Sequence, residues 1–523
     1  MPVNSAGFLL FLAIAAAVYY LVPKRRRYLV LLAASVFFYL SYSVKAAVYL
    51  LFTVTVTYAA AVWMGEMHRA EAARAQGDDK ATVKRRWLKR RRLVLSGVLL
   101  LNFATLAVFK YLDSWLGTAN GVLSLAGLSF RFRPLELLLP LGISFYIFQT
   151  SGYLIDVCRG KVRPERHFLK YALFVTYFPQ MIQGPINRFD RLHGQLIEGN
   201  DFSADRIKYG IELMLWGMLK KLLIADTLAP AVTGVFDNFT QYSGAVILLG
   251  VVLYCLQLYC DFSGGTDLVR GASQLFGVEM AENFRRPYFA RTIDDFWRRW
   301  HISLGEWMKD YLFYPLALSK PMNRLGKKLR PLIGVRLGKL FVPCVSTVVV
   351  FLMVGVWQGP GLSNIAYGLW NGGLMSLAML IAPAAVRVRE RLHITDETRW
   401  FHAFQVLRTF LLVVVGRYFS RANRLLQALR MLKRTVLHFG LRSLRPGMLT
   451  SFGLSWLHWG ILLVCTAVLI AVSTLQERGV PVRKALEKRH WAIRFAVLFV
   501  GVLLVYVFLS GDYTPIGYVY ENI

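Results

Sequence analysis

An all-α, polytopic membrane fold is predicted by three observations. The 523-residue chain is 56% hydrophobic and only 18% charged, a composition that excludes an ordinary water-soluble globule. Apolar runs of about 20 residues, the length that crosses a bilayer, recur along most of it. The basic residues, which set a net charge of +32, cluster between those runs.

We read roughly ten to twelve spans, some of them re-entrant. They are centred near Leu12, Ala34, Thr55, Leu101, Ser144, Met214, Val252, Val349, Met375, Leu411, Leu463 and Val500. In the first, Met1 to Val22, no basic residue precedes the apolar run, and "KRRR" (Lys24 to Arg27) follows it. That order predicts a retained helix with its N-terminus outside, not a cleaved signal peptide. Counting spans in pairs returns the chain to the cytoplasm at "KRRWLKRRR" (Lys84 to Arg92), read as a loop, and again at "CRGKVRPERH" (Cys158 to His167). Most of the basic excess is thus an orientation signal and an anchor to anionic lipid. No nucleic-acid module is visible, so nucleic acid is not an expected partner, whereas an acidic partner at the cytoplasmic face stays open. Cys158, Cys255, Cys260, Cys344 and Cys465 lie in or beside apolar runs, without metal-ligand spacing, and read as small buried hydrophobes. No metal is expected.

With no linker or internal repeat, residues 1–523 form one expected membrane domain: N-terminal spans in 1–112, an interrupted middle in 134–373, and C-terminal spans in 374–523. In the middle, Pro, Gly and polar residues break the apolar runs. Non-helical backbone at membrane depth persists only where protein buries it or water reaches it, so a cavity is expected there.

Four stretches define that middle. "LPLGISFYIFQTSGYLIDV" (Leu139 to Val157) carries Gln149, Thr150, Ser151 and Asp156, residues of close helix packing or of substrate contact. "YFPQMIQGPINRF" (Tyr177 to Phe189) holds two prolines and a glycine in apolar flanks, the pattern of a re-entrant loop. In "LQLYCDFSGGTDLVRGASQLFG" (Leu256 to Gly277), Asp261 follows directly on an apolar span, either as a functional carboxylate or as a cap or ion-pair partner of Arg270. In "IDDFWRRWHISLGEWMKDYLFYP" (Ile293 to Pro315), Trp297, Trp300, Leu304, Trp307, Met308 and Tyr311 fall on one helical side. Asp295, Arg298, Arg299, Glu306, Lys309 and Asp310 fall on the other. That division predicts one interfacial helix on the cytoplasmic side, with His301 at the edge of its apolar stripe.

In this order, these pieces resemble the membrane-bound O-acyltransferase family, in particular its bacterial branch that acylates cell-envelope polymers. The matching strings include "YFPQMIQGPINRF", "WGMLKKLLIAD" (Trp216 to Asp226), "LYCDFSGGTDLVRGASQLFG", "NFRRPYFARTIDDFWRRWHISLGEWMKDYLFYPL" (Asn283 to Leu316) and "VGVWQGPGLSNIAYGLWNG". "VVVGRYFSRANRLLQALRML" (Val413 to Leu432) is a weaker echo.

The resemblance implies a ring of roughly 11 transmembrane helices with re-entrant and interfacial helices around a central funnel. It also implies transfer of an acetyl or D-alanyl group from a thioester donor to a hydroxyl. The donor would be acyl-coenzyme A or a phosphopantetheinyl acyl-carrier protein, with no tightly bound cofactor. The acceptor would be an envelope polysaccharide, a teichoic acid or an extracytoplasmic acyltransferase partner, met at the cell membrane. The family's first histidine falls on His301; its second falls on Gln358, which has no titratable group and can only orient through its amide. Gln358 would then stabilise the developing oxyanion while His301, a water or Asp261 handles the proton. A later family histidine falls on Asn371. Asp261, Trp300, Trp357, Asn371 and Gln183 are the expected substrate contacts, and Arg298, Arg299 and Lys309 the expected donor-docking cations, unless they form only a solvated helix face. By span counting, His301 lies inside and Gln358 outside, joined by a channel. Two other classes stay open: a silent relative that scaffolds a modification complex, and a transporter of small anionic molecules.

Overall fold

The computed structural model describes residues 5–74, 80–395, 398–510 and 517–518, apart from the side chain of Ile182. The fold is all-α and polytopic. Among the described residues eight helices are long and apolar enough to cross a membrane, and the extended pairing is confined to an isolated bridge between Phe284 and Trp300. The chain divides into two compact units.

The first unit takes residues 1–214, 266–281 and 517–523. It begins with α1 (Ala6–Leu21), α2 (Arg27–Tyr42), α3 (Val44–Arg74) and α4 (Lys80–Leu125), of which α3 and α4 are long and apolar enough to cross a membrane. Ser5 caps α1 by accepting the Phe8 N–H. The cluster Lys84 to Arg92 is not a loop: it forms early turns of α4, which continues past its apolar part because Lys and Arg are good helix formers. Arg91 is buried there against Glu71 of α3.

Next come α5 (Ile143–Arg159), α6 (Phe168–Thr176), α7 (Phe178–Gln183) and α8 (Phe189–Ile197). The expected interruption is present: α7 lasts six residues, and residues 184–188 are non-helical. Buried amides support this break. Gln149 Nε2 donates to the Phe174 carbonyl at 3.0 Å, Gln180 Nε2 to Gln149 Oε1 at 3.0 Å, and Asn187 Nδ2 to Gln180 Oε1 at 3.1 Å. Gln149 and Gln180 both donate to the Phe174 carbonyl and Asn187 to the Pro185 carbonyl, backbone groups that a broken helix would leave exposed to hydrocarbon.

The second unit takes residues 215–265 and 282–516. Helix α9 (Ala204–Leu219) leads into a wide π-helical turn, Lys220–Asp226, followed by α10 (Thr227–Asp237) and α11 (Gly244–Gln274). The remainder is helical: α12 (Ile293–Arg299), α13 (Ile302–Met308), α14 (Tyr314–Ala317), α15 (Lys320–Gln358), α16 (Leu362–Arg391), α17 (Arg399–Arg421), α18 (Leu425–Leu437), α19 (Pro446–Thr450), α20 (Trp456–Glu477), α21 (Val482–Glu487) and α22 (Trp491–Ser510). The π-helical turn contributes Ile224 to a core with Leu228, Val235, Val246, Phe452 and Leu462. Helix α22 leaves Phe495, Phe499, Val502 and Tyr506 more than half exposed, as a lipid-facing helix does.

The segment predicted as one interfacial helix is broken twice. It breaks at Trp300–His301, between α12 and α13, and again at a π-helical turn over Lys309–Phe313. Its predicted sidedness survives the breaks: Trp300, Leu304, Trp307, Met308 and Tyr311 are buried, while Arg298, Glu306 and Lys309 are exposed.

Candidate active site

The first break is made by the segment before it. The Arg285 N–H donates to the Arg299 carbonyl at 2.9 Å, and the Ile302 N–H donates to the Asn283 carbonyl at 3.1 Å. These bonds draw residues 299–302 out of a helical ladder. Asn283 then closes the junction: its Oδ1 accepts the Ser303 N–H at 3.1 Å and the Ser303 hydroxyl at 2.7 Å. His301, at the corner, adopts φ 46° and ψ 54°. This left-handed conformation is uncommon outside glycine, and such strain gathers at functional sites.

The His301 ring is buried. Phe262 meets it edge-on with centroids 4.9 Å apart, and the Trp357 indole lies at 6.1 Å. Burial pushes the imidazole down to about 3. At neutral pH the ring is therefore uncharged, with one nitrogen that accepts and one that donates. Trp300 stacks on Phe296 at 5.6 Å and meets Phe284 edge-on at 5.1 Å.

Gln358 is the last residue of α15 and is half-buried. Its helix and α16 approach at backbone distance through glycines. A Cβ on Gly355 would sit 2.3 Å from the Asn364 carbonyl oxygen, and one on Gly368 2.3 Å from that of Phe351. Small residues permit this closeness between apolar helices. Span counting had separated His301 and Gln358 by a membrane, yet Trp357, the neighbour of Gln358, lies beside the His301 ring. The broken α12–α13 pair carries His301 to the end of α15, a path no count of spans describes.

Asp261 lies inside α11, not at its end, and its partner is Lys221 rather than Arg270. Lys221 Nζ is 2.7 Å from Asp261 Oδ1 and 2.8 Å from Asp226 Oδ1. The π-helical turn places Lys221 and Asp226 on one side of the helix at a spacing of five residues. Arg270 pairs instead with Asp267. Lys220 Nζ donates to the Ser263 hydroxyl at 2.9 Å.

Asn371 accepts the Trp297 indole N–H at 3.3 Å and donates to the Tyr367 carbonyl at 2.8 Å, tying α12 to α16. Arg298 is exposed and pairs with Asp294; Arg299 pairs with Asp295 and Glu477; Lys309 lies over the Tyr314 ring. Gln183 belongs to the first unit, where it is buried and its carbonyl accepts the Thr266 hydroxyl at 3.5 Å.

Sequence reading gave no role to Asn283, Lys221 or Arg417. Arg417 is fully buried in α17 with its guanidinium 4.6 Å from the Trp300 ring centroid. The available signal was a charge within the apolar run "LLVVVGRYF", a costly placement that marks function by default.

A buried histidine in a left-handed turn thus lies beside the last turn of α15, which packs closely on α16. The chain belongs to the membrane-bound O-acyltransferase family, whose profile matches residues 31–383. It is 35% identical to a probable alginate O-acetylase AlgI of Pseudomonas putida over 330 residues, 63% of this chain and 62% of that protein. It is 31% identical to a peptidoglycan O-acetyltransferase of Helicobacter pylori over 430 residues, 77% of this chain and 72% of that one. A teichoic acid D-alanyltransferase of Bacillus subtilis is 26% identical over 287 residues, 54% and 69% of the two chains. The chain spans about three fifths of the length of the alginate relatives it matches.

Proposed function

We propose that this chain is a multi-pass acyltransferase of the cell membrane, moving an acetyl or D-alanyl group from a thioester to a hydroxyl of an envelope polymer or of an extracytoplasmic transfer partner. The observation that carries this reading is His301, buried and held in a left-handed turn within the family-matched region. The activities for which these relatives are named support the substrate class.

In this reading the acceptor hydroxyl attacks the thioester carbonyl carbon. The His301 ring nitrogen takes the hydroxyl proton as the C–O bond forms. The Gln358 amide N–H steadies the tetrahedral oxyanion. The C–S bond then breaks, and the departing thiolate takes the proton from His301. Acyl-coenzyme A and an acyl-carrier protein present the same thioester, and Arg298 and Lys309 are exposed cations suited to either. Asp261 is assigned no proton transfer, because its Oδ1 is engaged by Lys221 Nζ at 2.7 Å. The N-terminus lies outside in this topology.

Gln358 favours one second reading, a silent relative that binds donor and scaffolds other enzymes. Transfer from labelled acetyl-coenzyme A and from labelled acyl-carrier protein, measured separately in proteoliposomes, decides between them. Transfer from either donor supports the enzyme; binding of donor without transfer supports the scaffold.

A further inference from the structure

Arg417 is 1% exposed, and among the described residues no carboxylate pairs with it. Its Nη1 donates to the Tyr367 hydroxyl at 3.3 Å, and the Cys255 thiol also lies within reach of the guanidinium. Aromatic groups surround the charge. The guanidinium carbon is 4.6 Å from the Trp300 ring centroid and 5.9 Å from that of Tyr367. An apolar side chain would fill this place without the desolvation penalty of a buried cation. The two aromatic partners are what a planar cation gains here, since ring faces attract it most strongly where water is excluded.

Both partners lead to the proposed chemistry. Trp300 immediately precedes His301 and pairs across the bridge with Phe284. Tyr367 lies in the second turn of α16, which begins four residues after Gln358. Arg417 itself lies beyond residue 383, where the family match ends.

We infer that Arg417 is a positioning residue: by gripping Trp300 and Tyr367 it fixes the His301 turn relative to the Gln358 turn. This rests on His301 being the proton acceptor.

The test combines Arg417→Lys and Trp300→Leu, singly and together, in the full chain. Arg417→Lys keeps the charge but loses the planar face. It is expected to lower kcat about tenfold while KM stays within about twofold, as loss of a transition-state geometry does. In the Trp300→Leu background the same change is expected to alter kcat less than about twofold. A raised KM with kcat unchanged would overturn the inference in favour of an anion-binding role, as would an equal kcat loss in both backgrounds. If the unaltered chain transfers nothing, the proposed function fails by itself. The melting temperatures of the four proteins in detergent then decide: non-additive losses uphold the grip, and additive losses overturn it.

Discussion

The imidazole of His301 and the indole of Trp357 lie 6.1 Å apart, centroid to centroid, joining a helix break to the end of α15. Their adjacency brings the His301 corner to the last turn of α15, the turn that ends in Gln358.

The neutral, buried state of His301 has a pH signature. Its folded value, about 3, lies below the ordinary 6.5, so between these limits the unfolded chain binds a proton that the folded chain does not. Stability is therefore complete above pH 6.5 and falls as pH drops towards 3, by roughly 1.4 kcal/mol per pH unit. Thermal inactivation followed across this range should lose that slope in His301→Gln.

Asn283 holds the His301 turn through Ser303. Asn283→Ala leaves the Ser303 N–H without its acceptor at a buried site, costing about 1–3 kcal/mol. In a transfer assay kcat is expected to fall further than KM rises, and Asn283→Asp, which keeps the accepting oxygen, should recover part of the loss.

Lys221 balances two buried carboxylates. Lys221→Met leaves both without their cation, a change of about 3–5 kcal/mol that should deplete the chain from membranes. Adding Asp226→Asn and Asp261→Asn should restore part of the level on an immunoblot. An unchanged level in Lys221→Met would show that the cluster does not support the fold.

Gly368 sits where α15 and α16 touch. Gly368→Leu forces a side chain against the Phe351 carbonyl and should lower the melting temperature by several degrees, whereas Gly373→Ala, open on all sides, should leave it unchanged.

Sequence alone shows the membrane class, the interrupted middle and the buried side of residues 297–311, because hydrophobic periodicity and breaker residues carry these directly. His301 was legible only through the string around it; nothing in its spacing foretold a left-handed corner, since Asn283 and Arg285, outside the helix, create it. Asp261 was legible as a costly charge, but its partner, forty residues earlier in the chain, depends on a π-helical turn that no amphipathic pattern announces. Arg417 carried the same signal of charge in an apolar run. Its role needs the approach of α17 to Trp300, a tertiary fact.

The central claim is that His301 accepts the proton while Gln358 only orients. The most direct test is acyl transfer in proteoliposomes by the unaltered chain, His301→Ala and Gln358→Ala, each at equal membrane level. We predict that His301→Ala abolishes transfer and that Gln358→Ala slows it by about a hundredfold or more without abolishing it, as removal of one oxyanion donor does. Undiminished transfer by His301→Ala would contradict the claim.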